Sequence, residues 1–124
     1  MDGLQAPPVM SAVVTAAVLV IGNSLVILQI WLAKRGVLPV GGFAGLRTPA
    51  TNRSQDAWEA GHEAAFPWSL VVNGIAVVTA AATLVVRETP LSYLIVIGVA
   101  VLASLVGTVG AMILAHRAAK RTLR

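Results

Sequence analysis

Hydrophobic and polar positions divide the chain into three long apolar runs and one long polar segment. The first run is residues 9–33, VMSAVVTAAVLVIGNSLVILQIWLA. The second centres on SLVVNGIAVVTAAATLVV and borrows from Phe66–Trp68 at its start to reach spanning length, giving a span of about residues 67–86. The third is residues 91–115, LSYLIVIGVAVLASLVGTVGAMILA. None of the three contains Asp, Glu, Lys, Arg or His. At 1.5 Å rise per residue, about 20 apolar residues cross a hydrocarbon core of about 30 Å. The pattern predicts an all-α membrane protein with three transmembrane helices, forming a single membrane domain over residues 1–124 with a motif loop at residues 34–66.

The first run is expected to be retained as a span. A cleaved leader has a basic start and a short apolar core, whereas MDGLQAPP has no Lys or Arg and the run behind it is long. Pro7 and Pro8 stand just before the helix, where proline is tolerated. Between the second and third runs lies only RETP. Pro90 keeps Thr89 out of the helical region, so a tight turn is expected there, with the flanking spans antiparallel.

Helices in lipid associate through close backbone approach and interhelical hydrogen bonds. The third run carries Ala103, Gly107, Ala111 and Ala115 at four-residue steps, flanked by Ser104 and Thr108. The second places Asn73, Ala76, Ala80 and Thr83 on one face, and the first aligns Ser11, Thr15, Gly22 and Gln29. The plain expectation is a three-helix bundle with these stripes inward; the alternative is that they line a pathway or a homo-oligomer seam. Asn23, Gln29 and Asn73 are the deepest polar side chains, suited to joining helices or to contacting a ligand.

Composition sharpens this picture. Only 11% of residues are charged and the mean hydropathy is +0.85, against about 25% charged in a soluble domain. There is no cysteine, which removes disulfides, thiolate catalysis and Cys-ligated metals. The two histidines lie in different segments, so no metal site is expected, and nothing calls for a cofactor. The net charge of +4 does not imply nucleic acid, because the basic residues flank spans. Eight of the nine fall on one side of a three-span arrangement: Lys34, Arg35, Arg47, Arg53, Arg117, Lys120, Arg121 and Arg124, with Arg87 opposite. The positive-inside rule then puts the N-terminus outside and the long loop and C-terminus in the cytoplasm of a bacterial cell membrane. Without ionisable groups at membrane depth, an ion-coupled transporter is not expected.

The polar segment holds the remaining chemistry. KRGVLPVGGFAG is too rich in Gly and Pro for regular helix, and Phe43 among its glycines could dip into the interface. NRSQDAWEAGHEAAF reads as a short amphipathic interfacial helix. Asn52 is its N-cap, Gln55 holds the capping-box position and Asp56 lies in the first turn. Asp56, Glu59 and Glu63 line one face and Trp58, His62 and Ala65 another, with the Trp face toward the bilayer and Pro67 ending or kinking the helix. Arg47 could anchor a phosphate, cap carbonyls or pair with Asp56 or Glu59. Trp58 fits an interfacial anchor and His62 a hydrogen-bonding residue near the interface. No nucleophile–base pair stands out, and Asp56 and His62 do not share a helix face closely, so no catalytic residue is assigned.

The set Gly45, Leu46, Arg47, Thr48, Pro49, Thr51, Ser54, Trp58 and His62, following the first of three spans, resembles the signature of the SdpI family of small bacterial membrane proteins. Gly41 stands where many relatives have Asn, and Glu63 where a basic residue is common. The resemblance implies a non-enzymatic protein of the immunity and signalling type, binding a hydrophobic peptide toxin or a lipid through this motif. The alternative is a small accessory subunit of a larger membrane complex. Expected partners are thus the bilayer, a membrane-active peptide or a partner membrane protein.

Overall fold

The computed structural model describes residues 4–122, so Arg124 and the first residues of the N-terminal tail lie outside it. Three helices follow in order: α1 (Val9–Lys34), α2 (Gln55–Ala82) and α3 (Pro90–Arg121), with a single 3-10 turn at Thr51–Arg53 before α2. All three are long and apolar enough to cross a membrane, which makes this a multi-pass membrane protein.

Local chemistry sets the helix ends. Pro8 is the N-cap of α1 with ψ 147°, and its ring cannot extend the helix backwards. After Lys34 the chain reverses at Gly36, whose φ of +80° favours glycine. The Val37 and Leu38 N–H groups both donate to the Leu32 carbonyl, at 3.0 and 3.2 Å. At the other end of the molecule α2 stops at Ala82, short of the expected residue 86, and residues 83–89 form turns. Thr89 is extended (φ −107°, ψ 99°) and Pro90 opens α3, as the proline restriction requires. Beyond the expected residue 115, α3 continues to Arg121.

The expected interfacial helix is not a separate element. The segment forms the first turns of α2, which runs unbroken through Pro67. That proline removes one backbone bond, and packing of α2 on both sides keeps the helix continuous.

The bundle is not evenly three-cornered. α2 lies in the middle and packs along both α1 and α3, which scarcely touch each other. Asn73, Ala76, Ala80 and Thr83 are all fully buried, as the stripe on α2 requires. On α3 the buried row is Ala100, Gly107, Ala111, Ala115 and Ala119, with Ala103 half-buried at its edge. On α1 the expected face is displaced. Ser11 and Gly22 are exposed and Thr15 half-buried, whereas Ala12, Ala16, Asn23, Ile30 and Ala33 face inward. Rotating the helix by one residue brings Asn23 to its partners.

Those partners form a polar chain inside the bundle. Asn73 Nδ2 donates to Asn23 Oδ1 at 2.7 Å, and Asn73 Oδ1 accepts from Ser69 Oγ at 2.8 Å. Asn23 Nδ2 donates to Ser104 Oγ at 2.8 Å, linking α1 to α3 where the helices otherwise diverge. Glycine makes room for this: a Cβ at Gly107 would come within 2.7 Å of Asn73 Oδ1. Likewise a Cβ at Gly61 would lie 2.8 Å from the Ala115 carbonyl oxygen, so α2 and α3 approach closely along much of their length.

Candidate functional site: the inserted loop

The loop between α1 and α2 fills the gap that α1 and α3 leave over α2. Leu46 is buried against Ile30 of α1, Ala65 of α2 and Ala111 and Ala115 of α3. Leu38 packs with Ala33 and Trp58, and Ala50 with Ala57 and Ala119. A segment so rich in Gly and Pro would be a surface connector if its backbone polar groups had no partners. Here side chains from two helices supply them.

Gln29 of α1 accepts the Gly45 N–H on Oε1 at 3.0 Å. It is therefore a holder of the loop, and no hydrogen bond joins it to another helix among the described residues. His62 of α2 accepts the Leu46 N–H on Nε2 at 2.8 Å. Its Nδ1 lies 2.7 Å from the Trp58 carbonyl oxygen. A backbone N–H can only donate and a carbonyl can only accept, so the ring is neutral with its proton on Nδ1. From α3, His116 Nδ1 lies 2.8 Å from Thr48 Oγ1. Leu46 and Thr48 are thus held from two different helices, with Arg47 between them.

The Thr-Pro-x-Thr element is a capping box in miniature. Thr48 Oγ1 accepts the Thr51 N–H at 3.1 Å, and Thr51 Oγ1 accepts the Thr48 N–H at 2.8 Å. Pro49 occupies the first position of the turn, where no N–H is required. The Thr51 hydroxyl donates onward to the Leu46 carbonyl at 2.8 Å, in a fully buried position. The turn takes Asn52, whose N–H donates to the Thr48 carbonyl. Ser54, not Asn52, is consequently the N-cap of α2, its Oγ accepting the Ala57 N–H at 3.0 Å.

Trp58 and His62 do share a face, with Asp56 and Glu63 turned outward and Glu59 half-buried. That face looks into the protein and not toward the bilayer. Both side chains are fully buried, their ring centroids 4.3 Å apart. Trp58 Nε1 donates to the Leu38 carbonyl at 2.7 Å. Gly45, at φ +119°, sits against the Trp58 ring, where a Cβ would overlap it. This glycine is needed both for its backbone angle and for its missing side chain.

Among the polar motif side chains Arg47 alone is left without a hydrogen bond or ion pair to the described residues. It is exposed, its guanidinium carbon 6.0 Å from the centre of the Trp58 ring, and the expected pairing with Asp56 or Glu59 is not made. Arg53 instead ties the loop to α3, its Nη2 donating to the Ala119 carbonyl at 2.9 Å. Phe43 is 93% exposed on the outer side of the loop.

Sequence reasoning missed four of these relationships: the burial of Leu46, the His116–Thr48 contact, the Arg53 bond to α3, and Trp68 packed over Gly110 with Nε1 3.2 Å from the Gly107 carbonyl oxygen. Only the glycines left a signal, since Gly61 and Gly110 inside helices flag close approach. Among the described residues no three His, Asp or Glu side chains gather into a metal site.

A family model described as the SdpI/YfhL protein family matches residues 37–112, from the start of the loop to deep within α3. No curated protein and no solved structure matched the chain.

Proposed function

The chain belongs to the SdpI/YfhL protein family, and on that premise we propose that it is a non-enzymatic protein of the immunity and signalling type. It engages a membrane-active hydrophobic peptide or a lipid through the inserted loop. The observation that carries this reading is how the motif's groups are used. Thr48, Thr51, Ser54, Trp58 and His62 all bond within the protein. Arg47, between two residues held from α2 and α3, is offered outward. A guanidinium on a fixed backbone is suited to a carboxylate or phosphate of a ligand, since little ordering is needed on binding. A non-enzymatic role is supported by His62, whose two ring nitrogens are both engaged and therefore not free for acid–base work.

The protein resides in the bacterial plasma membrane with the loop and the end of α3 in the cytoplasm. Supporting this, Lys34, Arg35, Arg47, Arg53, Arg117, Lys120 and Arg121 cluster at the loop end, against Arg87 at the other.

The test is survival of cells challenged with membrane-active peptides while expressing wild type, Arg47→Ala or Trp58→Ala at matched levels. Protection by wild type that Arg47→Ala loses supports the reading. No protection by any form, with the protein present in the membrane, removes it.

A further inference from the structure

A groove of about 260 Å³ separates the loop from the outer face of α1. Leu25, Leu28 and Leu32 form one wall, Leu38 and Phe43 the other, and Gln29 is the single polar side chain along it. The loop wall is held in place at both ends. The Leu38 N–H is bound to the Leu32 carbonyl and the Gly45 N–H to Gln29 Oε1. Between them Gly41, at φ +81°, turns the chain so that Phe43 stands out beside the leucine ridge.

The amide nitrogen of Gln29 within the groove and the guanidinium of Arg35 beyond its loop end have no hydrogen-bond or ion-pair partner among the described residues. Gln29 uses only its oxygen; its Nε2 donors make no hydrogen bond to the described residues. Arg35, at the end of α1, touches the Trp31 ring at 4.7 Å and makes no hydrogen bond or ion pair to the described residues. It lies six residues beyond Gln29, about 9 Å along the helix. On the wheel it falls beside Leu28.

We propose that this groove holds one glycerophospholipid in a fixed pose. From the loop end inward, α1 offers a cation just beyond the groove, then an amide donor within it, then an apolar channel. A glycerophospholipid presents the complementary groups in the same order: phosphate, ester carbonyl and acyl chain. The phosphate pairs with Arg35, an ester carbonyl accepts from Gln29 Nε2, and the chain lies between Phe43 and the leucines. An extended peptide fits less well, because one side-chain amide cannot satisfy a repeating backbone at membrane depth. The site is distinct from Arg47, and the proposal stands whether or not the loop confers immunity.

The experiment titrates the delipidated full chain with palmitoyl-oleoyl phosphatidylglycerol and counts retained lipid by native mass spectrometry. Wild type is expected to retain one lipid per chain. Phe43→Ala opens the groove and Leu28→Trp fills it. Both positions are exposed, so the fold is kept, which the unfolding temperature verifies. Each variant should lower retention about tenfold through lost apolar contact. Glycerol 3-phosphate alone should not bind, and a single-span hydrophobic peptide should not displace the lipid. Equal retention by all three proteins would reduce the groove to ordinary lipid contact and overturn the proposal. So would binding of glycerol 3-phosphate as tight as that of the lipid, or replacement of the lipid by the peptide.

Discussion

The imidazole Nε2 of His62 accepts the backbone N–H of Leu46 at 2.8 Å, in a site with no access to water. One helical side chain thereby fixes the tip of a loop that enters a crevice between three helices. His62→Phe preserves bulk and ring contact with Trp58 but has no acceptor. It should lose about 1–3 kcal/mol, the range for a buried N–H left unsatisfied. Thermal unfolding in detergent measures this, and trypsin should cut after Arg47 faster than in wild type.

Thr51 bonds Thr48 and Leu46 together through one hydroxyl. Thr51→Val matches its shape and removes both bonds, with an expected loss of about 1–3 kcal/mol. Thr51→Ser keeps the hydroxyl and should lose less in the same unfolding measurement. A larger loss in Thr51→Ser would mean that the methyl packing against Gly61 dominates.

Asn23 and Asn73 meet at 2.7 Å within the spans. A double-mutant cycle with Asn23→Ala and Asn73→Ala should return a coupling of about 0.6 kcal/mol, the average for hydrogen bonds between membrane helices, and no more than about 1.7 kcal/mol. Additive losses would show that the two amides act separately.

Gly61 and Gly107 lie at close approaches of α2 and α3, whereas a Cβ at Gly22 would meet nothing within 4 Å. Gly61→Ala and Gly107→Ala should each destabilise by about 1–3 kcal/mol through overpacking. Gly22→Ala should be neutral or stabilising by up to about 1 kcal/mol, as alanine suits a helix better. The three unfolding curves compared directly check the ordering.

How far the sequence discloses this structure differs between elements. The inward face of α2 is readable because Asn73, Ala76, Ala80 and Thr83 follow one helical period. The face of α1 is not. Small residues occur on two adjacent faces, Ser11 with Thr15 and Ala12 with Ala16, and the choice falls to Asn23, whose partner Ser104 is 81 residues away. Spacing places Trp58 and His62 together, but it cannot say that the loop folds back over them, so an outward-facing anchor and a buried brace look alike. Asn52 and Ser54 are both good N-caps. The turn begun by Thr48 and Pro49 takes the first and leaves the second to α2. The motif is legible as a set; that nearly all of it faces inward depends on contacts from α1 and α3 that no local pattern encodes.

The central claim is that the loop is built into the helices and offers Arg47 from a buried frame. The natural absence of cysteine allows a direct measurement. Leu46→Cys and Arg47→Cys, each the only thiol in its protein, are exposed to a membrane-impermeant maleimide in inside-out vesicles and in intact spheroplasts. The account predicts rapid labelling of position 47 in inside-out vesicles only, and little labelling of position 46 until the protein is unfolded. Equal labelling of the two positions would contradict a built-in loop, and labelling of position 47 in spheroplasts would reverse the proposed orientation.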